Sequence, residues 1–243
     1  MNNKNQIDRV RELIKHSDNI VFFGGAGMST ESGIPDFRSP TGLFSQKYKY
    51  PAETILSRSF FKRNPQEFYE FYRERILEYI IEAQPNKGHV KLAEWERQGK
   101  LQAVITQNID SLHQKAGSEN VLELHGCVMQ NFCSQCGKAF DIQYILMTPG
   151  IACCDQCNGV IHPGIVLYEE SLDEQILSKS IEYIAAADIL IVAGTSMVVY
   201  PAAGLINFYR GNKLILIDKN PELINERANY IIHGLAGEIL DLL

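Results

Sequence analysis

The chain has no long apolar run, no excess of positive charge, no internal repeat and no low-complexity tract or long linker. Each absence excludes something. No stretch approaches the ~20 apolar residues a helix needs to cross a bilayer, so neither a membrane span nor a membrane partner is expected. The first ten residues, MNNKNQIDRV, lack the apolar centre of a secretory signal, so the expected location is cytoplasmic. A formal net charge of −6 removes any broad attraction to nucleic acid, and direct nucleic-acid binding is not expected. What remains is ordinary for a globular protein, with 45% hydrophobic and 21% charged residues. Its 243 residues can bury a full core, as one large domain or a domain with an insert. There are only six cysteines, and in a reducing compartment they point to metal rather than disulfides.

Hydrophobic periodicity gives the organisation. Ile7, Val10, Leu13 and Ile14 recur at helical spacing over residues 5–16, with Asn5 as a candidate cap. Ile20-Val21-Phe22-Phe23 reads as a buried strand, followed at once by glycines. Residues 51–82 are rich in aromatics and mostly helical in pattern; Gln84-Pro85-Asn86 then breaks the run, and Asn86 can cap a helix ending near Gly99. Further short apolar strands at 103–106, 189–193 and 214–217 each lead into a polar loop. Continuous apolar strands separated by helices predict an α/β fold with a parallel sheet covered on both faces. Ligands of such sheets sit at the carboxyl ends of the strands, where these loops converge. The cysteine-rich stretch, 127–162, interrupts the alternation and reads as an insertion.

Three groups of residues carry chemistry. Gly25-Ala26-Gly27 follows a strand and lets backbone approach a phosphate, although the run lacks the full GxGxxG pattern. Behind it comes Pro35-Asp36-Phe37-Arg38, an acid, a ring and a guanidinium that a phosphate loop alone does not need. Gly194-Thr195-Ser196 is a second loop of small hydroxylated residues, and Asp218 ends a third strand, where a carboxylate can accept from ribose hydroxyls or cap the next turn. His125, Asn108 and Asp110 place a base, an amide and a carboxylate at the same sheet edge; taken singly, each also reads as a core or turn residue. Finally, Cys133-x-x-Cys136, seventeen residues, and Cys154-x-x-Cys157 match a four-thiolate zinc site. Four thiolates leave no open position, so one structural Zn2+ per chain is expected, with Cys127 left as a small buried residue.

In this order the motifs resemble those of the sirtuin family of bacterial-type NAD-dependent protein deacylases. The match runs from Gly25-Ala26-Gly27-Met28-Ser29 through Ser32-Gly33-Ile34-Pro35-Asp36-Phe37-Arg38, Thr106-Gln107-Asn108-Ile109-Asp110 and His125-Gly126 to the cysteines and Gly194-Thr195-Ser196. The resemblance implies a Rossmann-type domain over 1–37, 81–126 and 163–243, a helical insert over 38–80 and a zinc domain over 127–162. It implies NAD as co-substrate and acyl-lysine proteins or peptides as partners, meeting in the cleft between domains. The acyl oxygen would attack the ribose carbon as nicotinamide leaves, and the products would be O-acetyl-ADP-ribose and free lysine. His125 would be the general base and Asn108 would position ribose and water with Gln107. Ile109 and Asp110 would hold the nicotinamide amide, and Phe37 and Arg38 would close over the reacting bond. Gly25, Ala26, Gly27, Thr30, Gly194, Thr195, Ser196 and Asp218 would complete the NAD site. Backbone near Val166 and Val199 would pair with the peptide as an added strand.

Four positions depart from the family pattern: Gly24 for a threonine, Ser111 for a glycine, Tyr168-Glu169-Glu170 for Phe-Gly-Glu, and Asp218 for an asparagine. Glu169 puts a side chain where backbone approach is usual. Tyr72-x-x-Arg75 resembles the pair that marks desuccinylases and demalonylases, but reads more simply as a solvated helix face, and Asp36 favours acetyl. The reading is therefore a deacetylase. The alternatives are a desuccinylase or demalonylase, a mono-ADP-ribosyltransferase or NAD glycohydrolase on the same pocket, and a non-catalytic NAD-responsive binding protein. The sequence leaves the oligomeric state unknown.

Overall fold

In the computed structural model, residues 3–37, 39–40, 42–45, 47–220 and 227–243 are described. Six parallel strands form the main sheet: β1 (Ile20–Gly24), β2 (Leu101–Thr106), β3 (Val121–Glu123), β7 (Ile189–Ala193), β8 (Leu214–Asp218) and β9 (Tyr230–His233), in the order β3-β2-β1-β7-β8-β9. Every residue of β1 and β7 is buried, so these strands read as unbroken apolar runs rather than as alternation. Phe22 of β1 lies opposite Val104 on one side and Ile191 on the other. Its ring and that of Phe23 are fully buried, and each such side chain stabilises the fold by roughly 1.5–3 kcal/mol. Gly24 pairs with Thr106 and Ala193 as the last residue of β1, so the turn starts after it.

The first helix, Asn3–Lys15, buries Val10 and Ile14. Asn5 lies inside its first turn and is not its cap. The helix starts earlier because the Asn3 side chain pairs with edge strand β9, accepting from the His233 N–H (3.0 Å) and donating to its carbonyl (2.6 Å). Asn86 does cap the helix Lys87–Arg97, in a reciprocal box in which its side chain accepts from the Gly88 and His89 N–H groups while His89 Nδ1 accepts from the Asn86 N–H.

The aromatic stretch folds into short helices, Ala52–Ile55, Arg58–Arg63 and Pro65–Tyr72, a π-helical turn Arg73–Leu77, and Glu78–Ile81. The cysteine-rich stretch forms a small antiparallel sheet of β4 (Gln130–Cys133), β5 (Ala139–Asp141) and β6 (Ile161–His162), in the order β5-β4-β6, with helix Ile142–Met147. These two pieces share one core: Phe61, Phe68 and Tyr72 pack in a single cluster with Val128, Ile145 and Ile161. Polar contacts reinforce it. The Tyr69 hydroxyl donates to the Ile161 carbonyl, and Arg73, lying over the Tyr69 ring, donates to the carbonyls of Ile145, Thr148 and Gly150. The expected solvated face at Tyr72 and Arg75 is therefore wrong. Tyr72 is fully buried and stacked on Phe68, because the zinc-side piece covers the flank of the helix that would otherwise meet water.

The chain leaves the main sheet at Gly126 and returns at Gly164, where the two segments cross backbone to backbone, Cys127 N–H donating to the Gly164 carbonyl. A Cβ on Gly164 would stand 1.5 Å from the Gln130 carbonyl oxygen, so only glycine fits this crossing.

Candidate active site

The strand order β3-β2-β1-β7-β8-β9 reverses direction between β1 and β7, and their carboxyl ends open a cleft there. The cleft holds about 840 Å³ and its walls come from several loops. The first loop follows β1. Gly25 N–H donates to the Ala193 carbonyl (3.2 Å) and Gly27 N–H to that of Gly194 (2.8 Å), so the two glycine loops lie against each other. Gly194 has a φ of 60°, and a Cβ on it would come within 2.4 Å of the Met28 nitrogen; this contact demands glycine. Ala26 lines the cleft beside them, and Thr30 lines it with its hydroxyl donating to the Gly27 carbonyl.

From the second loop, Gln107 Nε2 donates to Thr195 Oγ1 (2.9 Å), tying the ends of β2 and β7 across β1. Ser196 lies exposed at the cleft wall. His125 is reached after β3. Its Nδ1 lies 2.9 Å from the Gln107 carbonyl, an acceptor only, so Nδ1 carries the proton and Nε2 keeps its lone pair. Burial holds the His125 pKa below the ordinary histidine value, opposed by the Gln107 carbonyl. At neutral pH this is a neutral imidazole in a cleft, the form a general base requires.

Asn108 and Asp110 are buried, and Asn108 shares the cleft wall with His125. They meet a residue the sequence reading left out of the site, Ser29. Asn108 Nδ2 donates to Ser29 Oγ (2.9 Å), and Ser29 Oγ donates to Asp110 Oδ2 (2.6 Å). The other oxygen, Asp110 Oδ1, accepts from the Leu112 N–H (2.9 Å). Burial raises the Asp110 pKa, and the Ser29 hydroxyl and Leu112 N–H pull it back. Asp110 is absent from the wall of the main cleft. It lines a recess of about 30 Å³ with Ser29, Phe37, Arg75 and Ile109, while Phe37, Asn108 and Ile109 also face the main cleft. Arg38 lies outside the described residues.

Asp218 faces the cleft from the end of β8, and its Oδ1 also accepts from the Asn220 N–H (2.8 Å), so it caps the turn as well. Val166 and Val199 both line the cleft; the Val166 N–H donates to the His125 carbonyl (2.9 Å). Two of the departures prove conformationally alike: Ser111 (φ 57°) and Glu169 (φ 74°) are left-handed, where glycine is the residue without strain.

The sulfurs of Cys133, Cys136, Cys154 and Cys157 all lie within 4.8 Å of one another, with 3.4 Å between Cys133 and Cys157 and 3.7 Å between Cys136 and Cys154. Tetrahedral Zn–S bonds of about 2.3 Å set sulfurs about 3.8 Å apart, so the quartet fits zinc. Backbone N–H groups of Gln135 and Cys136 point at Cys133 Sγ, and that of Gln156 at Cys154 Sγ, the geometry of two knuckles that stabilise thiolates. Cys127 is buried outside the quartet, as expected, and Cys153 precedes the second knuckle.

A Rossmann-type sheet with a glycine loop, a half-buried histidine at its edge and a four-cysteine module defines a nucleotide-binding α/β class. The Sir2 family pattern matches residues 25–201, and the chain belongs to that family. It is 50% identical over 239 residues to an NAD-dependent protein deacetylase of Clostridium acetobutylicum, covering 97% of each chain, and 40% identical to one of Staphylococcus epidermidis, covering 98% of this chain and 96% of that one. Among solved structures, a Sir2 complex with a deacetylated p53 peptide and 3'-O-acetyl-ADP-ribose matches at a TM-score of 0.89 and 37% identity, covering 97% of this chain and 96% of that one. A Sir2 complex with a p53 peptide and NAD+ matches at 0.86 and 38%, covering 96% and 95%.

Proposed function

We propose that this chain is an NAD-dependent protein-lysine deacetylase that releases nicotinamide, O-acetyl-ADP-ribose and free lysine. The observation that carries the reading is His125, neutral by burial, with Nδ1 pinned to the Gln107 carbonyl and Nε2 left to accept a proton in the cleft. Relatives at 40–50% identity over nearly the whole chain bear the name NAD-dependent protein deacetylase, which supports it.

The residues fit NAD by their chemistry. Small backbone-rich loops at Gly25 to Gly27 and Gly194 to Ser196 suit a diphosphate, Asp218 suits ribose hydroxyls, and the Ser29–Asn108–Asp110 triad backs a small recess that offers polar partners to an amide. When bound, NAD supplies the ribose carbon that receives the acyl oxygen and a leaving group in nicotinamide. Asp110 and Ile109 hold the leaving amide, and Phe37 keeps bulk water from the reacting carbon. Asn108 and Gln107 orient ribose and the hydrolytic water. His125 Nε2 takes the proton of a ribose hydroxyl, which lets the acyl group pass from lysine to ribose. Backbone at Val166 and Val199 flanks the acyl-lysine peptide as an added strand. Zinc would be held by the four cysteines and supplies cross-linking of two knuckles, with no part in the chemistry. The crossing at Gly126 and Gly164 supports the boundaries of the zinc domain over 127–162, while the helical insert over 38–80 shares its core with that domain. We place the protein in the cytoplasm: four of its six cysteines are set to hold one metal rather than to pair as disulfides, the usage of a reducing compartment, and no described helix is long and apolar enough to cross a membrane.

Mixing protein, NAD and an acetyl-lysine peptide, with product masses followed, tests the reading. Nicotinamide release that requires peptide, with loss of its acetyl mass, is the expected result. Release without peptide would mean glycohydrolysis, mass gained on a protein acceptor would mean ADP-ribosyl transfer, and faster turnover of a succinyl-lysine peptide would overturn the acetyl preference. No release at all would leave a binding protein.

A further inference from the structure

Glu169 stands where the cleft wall turns, and its backbone is left-handed at a φ of 74°. A residue with a Cβ resists that conformation, so something must hold it. The Glu170 N–H to Leu167 carbonyl bond (3.0 Å) closes the turn, and the side chain anchors it: Oε2 accepts from the Ser59 N–H (2.9 Å) and Oε1 from the Ser59 hydroxyl (2.9 Å). Both are charge-assisted bonds to one residue of the neighbouring helix Arg58–Arg63. The preceding segment is fixed along the same edge. Tyr168 N–H donates to the Leu56 carbonyl (3.0 Å), the Arg58 N–H donates to the Tyr168 carbonyl (3.0 Å), and Leu167 N–H donates to the Glu170 carboxylate (2.9 Å). The carboxylate of Glu169 is thus drawn onto the edge that already carries residues 56–58, and the main chain of 165–170 is left to form the cleft wall.

From this we infer that Glu169 is a positioning residue for the acyl-lysine peptide, holding the wall segment in a left-handed turn by anchoring itself on Ser59. The inference rests on the reading of this cleft as the peptide site. It makes the carboxylate a conformational device: a glycine could hold the same turn unaided, whereas alanine could hold it only with strain and without an anchor.

Three proteins decide the matter: wild type, Glu169→Ala and Glu169→Gly. A fluorescein-labelled acetyl-lysine peptide is titrated by anisotropy, and NAD affinity is measured in parallel. The expected result is peptide binding weakened about tenfold in Glu169→Ala, the size set by a left-handed residue losing its support, and restored to within about twofold by Glu169→Gly. NAD affinity should stay level across all three. Equal weakening in both variants would mean the carboxylate touches the peptide itself, and unchanged binding in both would mean the turn does not matter; either overturns the inference. Wild-type protein that binds the peptide yet does not deacetylate it would defeat the catalytic reading while the binding series still decided the role of Glu169. Wild-type protein that does not bind the peptide would defeat both.

Discussion

His125 can act as a base only while Nε2 holds its lone pair. Burial favours the neutral ring, and the Gln107 carbonyl, by accepting from Nδ1, pulls modestly the other way. The net direction is downward, so protonation should switch the base off at a pH below the ordinary histidine range near 6.5. The acid limb of kcat/KM against pH for an acetyl-lysine peptide is therefore expected below that value, and His125→Ala should abolish the limb together with nearly all turnover. An acid limb at or above 6.5 would contradict the burial argument. His125, Asn108 and Asp110 could be proposed from the sequence because their side-chain types suit the chemistry, and the fold brings His125 and Asn108 to the cleft and Asp110 to the recess behind it. Ser29 was not: a serine in a polar loop has many uses, and only the fold shows its hydroxyl joining Asn108 to Asp110. Asp218 was legible in both of its readings, at the cleft and as a turn cap, because one carboxylate can do both.

Helix caps hold the glycine loop in place. Asn86 uses its carbonyl oxygen to cap the helix Lys87–Arg97 and its amide to donate to Met28 O (2.8 Å) and Ser32 Oγ (3.2 Å). Glu31, inside the loop, accepts from the Gly237 and Glu238 N–H groups at the start of helix Ala236–Leu242. The loop is thus tied to two helices far from it in the chain, one in the middle and one at the end. Asn86→Ala removes one tie and one cap together. Unfolding by urea should show a loss of about 1–2 kcal/mol, the usual cost of a cap, and NAD affinity should fall roughly fivefold as two loop hydrogen bonds go. A normal loss of stability with unchanged NAD affinity would show that Glu31 suffices. The cap at Asn86 could be read from Pro85-Asn86 ahead of an apolar pattern. Its second task could not, since Met28 and Ser32 are more than fifty residues away in the chain. The same limit hid the common core of the aromatic and cysteine-rich pieces. Each reads in the sequence as a separate insert, although their apolar side chains pack in one cluster.

Across the whole molecule, the groups buried near the sheet set how it tolerates acid. His89 and His113 pack ring against ring, 4.7 Å between centroids, with His113 also against Phe22. Burial lowers the His89 pKa to about 4, and burial together with the neighbouring His89 lowers that of His113 well below its usual value. The unfolded chain therefore binds protons on both histidines below about pH 6.5 while the folded chain does not, and stability falls as pH drops. For His89 alone the loss reaches about 3 kcal/mol by the time pH approaches 4. Asp110 and Glu123, whose pKa values burial raises, work in the opposite sense, gaining stability as pH falls through the carboxylate range. Their gain begins at the raised folded values and is complete at the ordinary carboxylate value, so it offsets part of the histidines' loss at the acid end of the window. His113 makes this separable. Among the described residues neither of its buried ring nitrogens has a hydrogen-bond partner, so His113→Leu removes two buried polar atoms and one titrating group at once. Urea unfolding at pH 8 should show the variant more stable by about 1–3 kcal/mol. Repeated at pH 6 and 5, it should also show a shallower decline than wild type. A variant that loses stability with pH as steeply as wild type would mean that His113 does not contribute to the acid limb of this fold.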